Sequence, residues 1–155
     1  MKIEMKAFLP TFVFGIIYGM HHFLKSFIVW WAHFSLDSVS DVVVLIWFSN
    51  QVSAVIDWVL LFIVLIVMYY VGKKLDLKAN LKWIIISMLV GCFTGYFIVR
   101  LVSMPLFFII AQQEISPNLA VNYLVGNLYT SLETTSSLFL TSFTAIAVAH
   151  LRKTG

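Results

Sequence analysis

The chain has 155 residues, of which 61% are hydrophobic and 11% charged, with a formal net charge of +3 and a mean hydropathy of +0.98. A soluble domain of this length could not bury so much apolar side chain, so the composition excludes an ordinary soluble fold and points to an all-α integral membrane protein. The pI near 9.1 comes largely from lysines and arginines that flank apolar runs, where they would sit against anionic headgroups, so it gives no reason to expect a nucleic-acid partner.

Four apolar stretches, at about residues 7–34, 42–72, 83–111 and 118–151, each exceed the roughly 20 residues that a helix needs to cross about 30 Å of hydrocarbon. We therefore expect a single domain over residues 1–155, a four-transmembrane-helix antiparallel bundle. At about 30 residues each, the stretches would make roughly 45 Å of helix, more than one simple crossing. Either the helices tilt and project outward, or they end early and continue as interfacial segments.

The first stretch follows Lys2 and Lys6. A basic start before an apolar run resembles a signal peptide, but this run is too long and lacks a small-x-small cleavage site, so we read it as a retained helix. Pro10 belongs near its start. Gly15 and Gly19 form a small-xxx-small face, and Tyr18, His22 and Lys25 follow at helical spacing. His21 and His22 are about 100° apart around a helix, so only one is expected to share the Lys25 face, and the spacing favours His22. Trp30 and Trp31 in "SFIVWWAHF" suit the headgroup region, as does Trp47 in "VVVLIWFSNQ" at the start of the second stretch.

The second stretch carries Asp57 and ends in "VGKKLDLKANLK", a short polar connection that should make helices 2 and 3 antiparallel neighbours. In the third, Ser87, Gly91 and Gly95 repeat the small-xxx-small signature, and the same face continues through Tyr96 and Arg100 to Ser103. Cys92, the sole cysteine, excludes an internal disulfide and reads as a small packing residue. Met104-Pro105 should kink or end this helix, with "PLFFIIAQQ" a third candidate interfacial segment. Ser116 is a candidate N-cap, with Pro117 in the first turn of the fourth helix. That helix is the most polar: Asn122, Gly126, Thr130, Glu133, Thr134, Ser137, Thr141 and Thr144 form one stripe at spacings of 3 and 4.

Lysines and arginines cluster before the first stretch, between the second and third, and after the fourth, while the other two connections carry only Asp37, Asp41 and Glu114. By the positive-inside rule both termini are cytoplasmic, and we expect the cell membrane as the location. Lys25, Asp57, Arg100 and Glu133 lie roughly 16 to 19 residues, or about 24 to 29 Å, from the basic anchors of their own helices, so they should form one layer near the outer edge of the hydrocarbon. An isolated charge costs about 2.5 to 3.5 kcal/mol at mid-membrane on insertion scales, which favours pairing of Lys25 with Asp57 and of Arg100 with Glu133.

Two readings of this layer stand side by side. It encloses an outward-facing polar pocket, supported by Tyr18, His22, Tyr96, Thr130, Thr134 and Ser137, that binds or moves a small solute or ion. Alternatively the ion pairs are structural, in a non-catalytic membrane subunit or assembly factor. A membrane enzyme or quinone-linked anchor is a third possibility, but no HExxH, P-loop or GxSxG is present, and the histidines do not suit bis-histidine haem. No cofactor or metal is expected. A chain this small leaves little room for alternating access, so a homo-oligomer or a larger complex in the bilayer is expected.

Overall fold

The computed structural model describes residues 3–36, 38–111 and 117–154, and every regular element among them is helical. Helices α1 (Met5–Ser35), α2 (Val39–Lys73), α3 (Leu77–Ala111) and α4 (Pro117–Thr154) contain 31, 35, 35 and 38 residues. Four segments within them are long and apolar enough to cross a membrane: Met5–Ala32, Val39–Lys73, Asn80–Ser103 and Leu124–Arg152. The three stretches expected as interfacial segments, in α1, α2 and α3, continue their helices as far as they are described, rather than breaking into separate segments. Asp37, Glu114 and Ser116 lie outside the described residues.

Two expectations about prolines are corrected. Helix α3 runs through Pro105 to Ala111, and its departure from helical geometry is instead at Asn80, with φ −129° and ψ 15°. Helix α1 starts at Met5, so Pro10 lies inside it rather than in its first turn. The first turn is closed without it, the amides of Ala7 and Phe8 donating to the Glu4 carbonyl at 3.0 and 2.9 Å, so Pro10 falls past the amides that lack a helical acceptor and removes the donor that would bond the Lys6 carbonyl.

Lipid tails are as apolar as leucine, so hydrophobicity alone does not drive these helices together; close backbone approach and hydrogen bonds do. The closest approach is between α1 and α3. A Cβ on Gly15 would lie 2.6 Å from the Cys92 carbonyl oxygen, and one on Gly19 would lie 2.8 Å from Val99 Cβ. From the other side, Gly91 faces Phe8 and Thr11, and Gly95 faces Phe12 and Ile16. Residue numbers climb together along this seam, beginning with the Glu4 amide donating to Ser87 Oγ at 2.8 Å. Along α1 and α2 they run oppositely, with Tyr18 against Asp57 and His21 against Ser53. Along α2 and α4 they climb together again, with Gly72 packed on Ile146 and Ala149.

The short hairpin does not make α2 and α3 neighbours: no Cα of α2 comes within 8 Å of a Cα of α3 among the described residues. Helix α3 lies instead against α1 and α4, and α2 against α4 and α1. The glycine seam accounts for this by bringing the backbones of α1 and α3 into contact. Leu75 and Leu77, on either side of the turn, are buried under the core formed by Phe14, Met68, Ile84, Met88, Leu138 and Ile146. Cys92 is buried in that core beside the seam, as a packing residue should be. The outward face of α2 is apolar and open, Trp58 being 75% exposed, a surface suited to lipid rather than to water.

Candidate functional site

Beyond the core, α1, α2 and α4 enclose a cleft of about 310 Å³, within the size range of small-molecule sites. Helix α1 supplies Tyr18 and His22, one turn apart. Helix α2 supplies Asp57 and Leu61, again one turn apart. Helix α4 supplies Thr130, Glu133, Thr134 and Ser137, whose spacing of 3 and 4 puts them on one face.

Asp57 is the centre of the polar contacts. Its Oδ1 lies 3.4 Å from His21 Nε2 and 3.7 Å from His22 Nε2. These approaches become ion pairs when an imidazole is protonated, and neither has hydrogen-bond geometry: Oδ1 is buried without a hydrogen-bond donor. The backbone carbonyl of Asp57 accepts a bond from the Tyr18 hydroxyl at 3.0 Å. His22 stands edge-on to Tyr96, ring centroids 5.8 Å apart, and lies within electrostatic range of Asp57, His21, Arg100 and Lys25. Tyr96 is itself fully buried behind the cleft, its hydroxyl without a hydrogen-bond partner.

The four charges therefore gather in one region, but not in the expected pairs. Asp57 faces the two histidines rather than Lys25, which lines a separate groove between α1 and α2. Arg100 donates from Nε to Asn127 Oδ1 at 3.0 Å rather than to Glu133. Glu133 is exposed and has no ion-pair partner among the described residues. The physical reason is helix rotation: the face of α4 turned to α3 carries Asn127, whereas the face carrying Glu133 is turned to α1 and α2. His21 also joins the cluster, because Asp57 Oδ1 lies within 4 Å of Nε2 on both adjacent imidazoles, whose ring planes are nearly perpendicular at 87°.

The hydroxyls around the cleft have a common polarity. Thr130 Oγ1 donates to the Gly126 carbonyl at 3.1 Å, and Ser137 Oγ approaches the Glu133 carbonyl at 3.5 Å. With their protons directed along the helix, these oxygens present lone pairs to the cleft. Tyr18 does the same once its proton is given to Asp57 O. Two carboxyl groups and three such oxygens make the lining rich in acceptors. No group of three histidine, cysteine or carboxylate side chains has metal-holding geometry among the described residues.

Sequence reasoning missed a second polar face on α4. Asn127, Ser131, Thr135 and Ser142 are buried, Ser131 Oγ donating to Asn127 O and the Thr135 hydroxyl lacking a partner. The signal was present as a repeat of four from Asn127 to Thr135, beside the stripe that includes Glu133. Ser53 was missed too. It is 3.0 Å from His21 Nε2, but Asp57 approaches the same nitrogen, whereas a nucleophilic triad needs the serine and the carboxylate on opposite ring nitrogens. Compared with known proteins, the chain matches no protein-family model, no curated protein and no solved structure.

Proposed function

We propose that the chain is a small integral membrane protein with four antiparallel spans and both termini in the cytoplasm, and that its cleft binds a small cation near the outer side of the bilayer. The observation that carries this reading is the acceptor-rich lining. Asp57 and Glu133 supply negative charge, while Tyr18, Thr130 and Ser137 offer oxygen lone pairs. Without three converging ligands, the cleft fits a cation that needs no tight chelation, such as an organic ammonium or a hydrated monovalent ion. His22 would respond to the same charge, because a cation and an imidazolium compete for Asp57. Movement of the ion across the membrane would require a second copy or a larger complex to complete the path.

A second reading keeps the polar groups as fasteners. Tyr18 to Asp57 joins α1 to α2, His21 to Ser53 joins them again, and Arg100 to Asn127 joins α3 to α4. A non-catalytic subunit would need no more than this.

One experiment separates the two. Protein in lipid nanodiscs is titrated with tetramethylammonium, and separately with sodium and potassium, while its thermal unfolding midpoint is followed. A ligand that binds only the folded state raises that midpoint. Cation binding predicts a rise for at least one of these ions, and an apparent Kd weakened at least about tenfold, or 1.4 kcal/mol, by Asp57→Asn or Glu133→Gln. Fasteners predict no dependence on any cation, with Asn127→Ala, which removes the acceptor of Arg100, lowering the midpoint by itself.

A further inference from the structure

Lys25 was expected to neutralise Asp57, and it does not. Among the described residues it has neither an ion-pair nor a hydrogen-bond partner. It lies within the candidate span Met5–Ala32, where an ammonium needs either water or an anion. Its side chain is only half-buried, lying along a groove between α1 and α2 with a volume of about 310 Å³.

That groove differs in kind from the cation cleft. Its walls are apolar: Leu24 and Ile28 on α1, and Leu45, Phe48, Val52 and Ile56 on α2. From Leu45 to Ile56 it follows about three turns of α2, roughly 16 Å at 1.5 Å per residue. This is an elongated, apolar groove. Ser49 and Ser53 lie along it at the level of Lys25 and His21, so its polar groups are gathered in one strip. The shape fits an acyl chain, and the Lys25 ammonium in the groove fits an anionic head.

We propose that this groove is a binding site for a membrane phospholipid of net negative charge, with its headgroup phosphate facing Lys25 and one acyl chain lying along Phe48, Val52 and Ile56. Charge complementarity selects this occupant. A zwitterionic lipid would bring its own ammonium beside Lys25, whereas an anionic headgroup brings only negative charge. The lysine stem packs on the apolar wall while the ammonium reaches outward to the phosphate, which is how such side chains behave at the hydrocarbon boundary. Asp57 does not line the groove: its carboxylate faces the two histidines, of which His21 stands at the groove wall.

The test is native mass spectrometry of the full chain released from mild detergent, after equilibration with equal amounts of phosphatidylglycerol and phosphatidylcholine of the same chain length. Wild type should retain phosphatidylglycerol at least about tenfold more than phosphatidylcholine. Lys25→Met should bring the ratio close to one, and Lys25→Arg should keep it. Val52→Trp, which fills the groove and leaves the charge, should reduce retention of both lipids. Lys25→Met removes a charge from the membrane span, so its fold is checked by an unchanged unfolding midpoint. Equal retention of both lipids by wild type, or a preference that survives Lys25→Met, would overturn the proposal.

Discussion

The α1/α3 seam and the α1/α2/α4 cleft are written in the same sequence language, small or hydroxyl residues every three or four positions, yet one is closed and the other open. In the seam, glycines meet backbone. Gly15 lies under the Cys92 carbonyl, and the fully buried Thr11 donates its proton to Ala7 O at 2.9 Å, so nothing polar protrudes. One turn along α4 from the cleft residue Thr130, Gly126 has nothing within 4 Å of where its Cβ would be, and in the cleft Glu133 projects without an ion-pair partner among the described residues. Periodicity therefore determines which residues share a face. Whether that face closes depends on the length of the side chains it carries, because a carboxylate or threonine holds the neighbouring backbone away where a glycine admits it.

The hardest way to break this comparison is to give the seam the side chains of the cleft. In Gly95→Leu the new carbon would fall on the Phe12 carbonyl and within 3.1 Å of the Ile16 amide nitrogen. Backbone cannot rotate aside as a side chain can, so α1 and α3 must separate. We expect a loss of about 3 kcal/mol, at the upper end of overpacking costs, read from reversible denaturation in mixed micelles. Separation also draws Tyr96 away from His22, so the cleft should lose cation binding in the same variant.

A smaller perturbation tests how α3 and α4 are joined beside the cleft. Arg100→Met leaves the buried Asn127 side chain without its donor, and hydrogen bonds involving a charge are worth about 1.5 to 3 kcal/mol. We expect a loss of about 2 kcal/mol. Double-mutant cycles sharpen the assignment: Arg100 should couple to Asn127 by more than about 0.5 kcal/mol and to Glu133 by less. A larger coupling to Glu133 would restore the ion pair that depth alone suggested.

That contrast also measures how much could be read before the fold was known. Four long apolar helices were legible from composition, and the two faces of the seam from Gly15, Gly19, Gly91 and Gly95. Depth along the helices put Lys25, Asp57, Arg100 and Glu133 in one layer, because a helix converts residue number into height at a constant rate; of these, Asp57 and Glu133 line the same cleft. The partners were not legible. Pairing Lys25 with Asp57 and Arg100 with Glu133 assumed rotations that sequence spacing does not contain. Treating α2 and α3 as neighbours assumed that a short turn decides adjacency. The seam outweighs the turn, taking α3 to α1 and leaving α2 to pack on α4. Asn80, an unremarkable loop-like residue at the sequence level, marks the departure from helix that Pro105 does not make.

The smallest expected effect has the opposite sign and probes the open side of the comparison. Gly126→Ala adds a methyl group where there is space for it, and alanine in a helix interior is favoured over glycine by roughly 0.5 to 1 kcal/mol. Stability should rise by that order, with cation binding unchanged, because Gly126 does not line the cleft. The same substitution at Gly95 should destabilise, since there even one carbon meets the Phe12 carbonyl. If Gly126→Ala instead lowers stability only at concentrations where the protein self-associates, the open face of α4 is covered by a second copy. The glycine would then be doing between chains what Gly95 does within one.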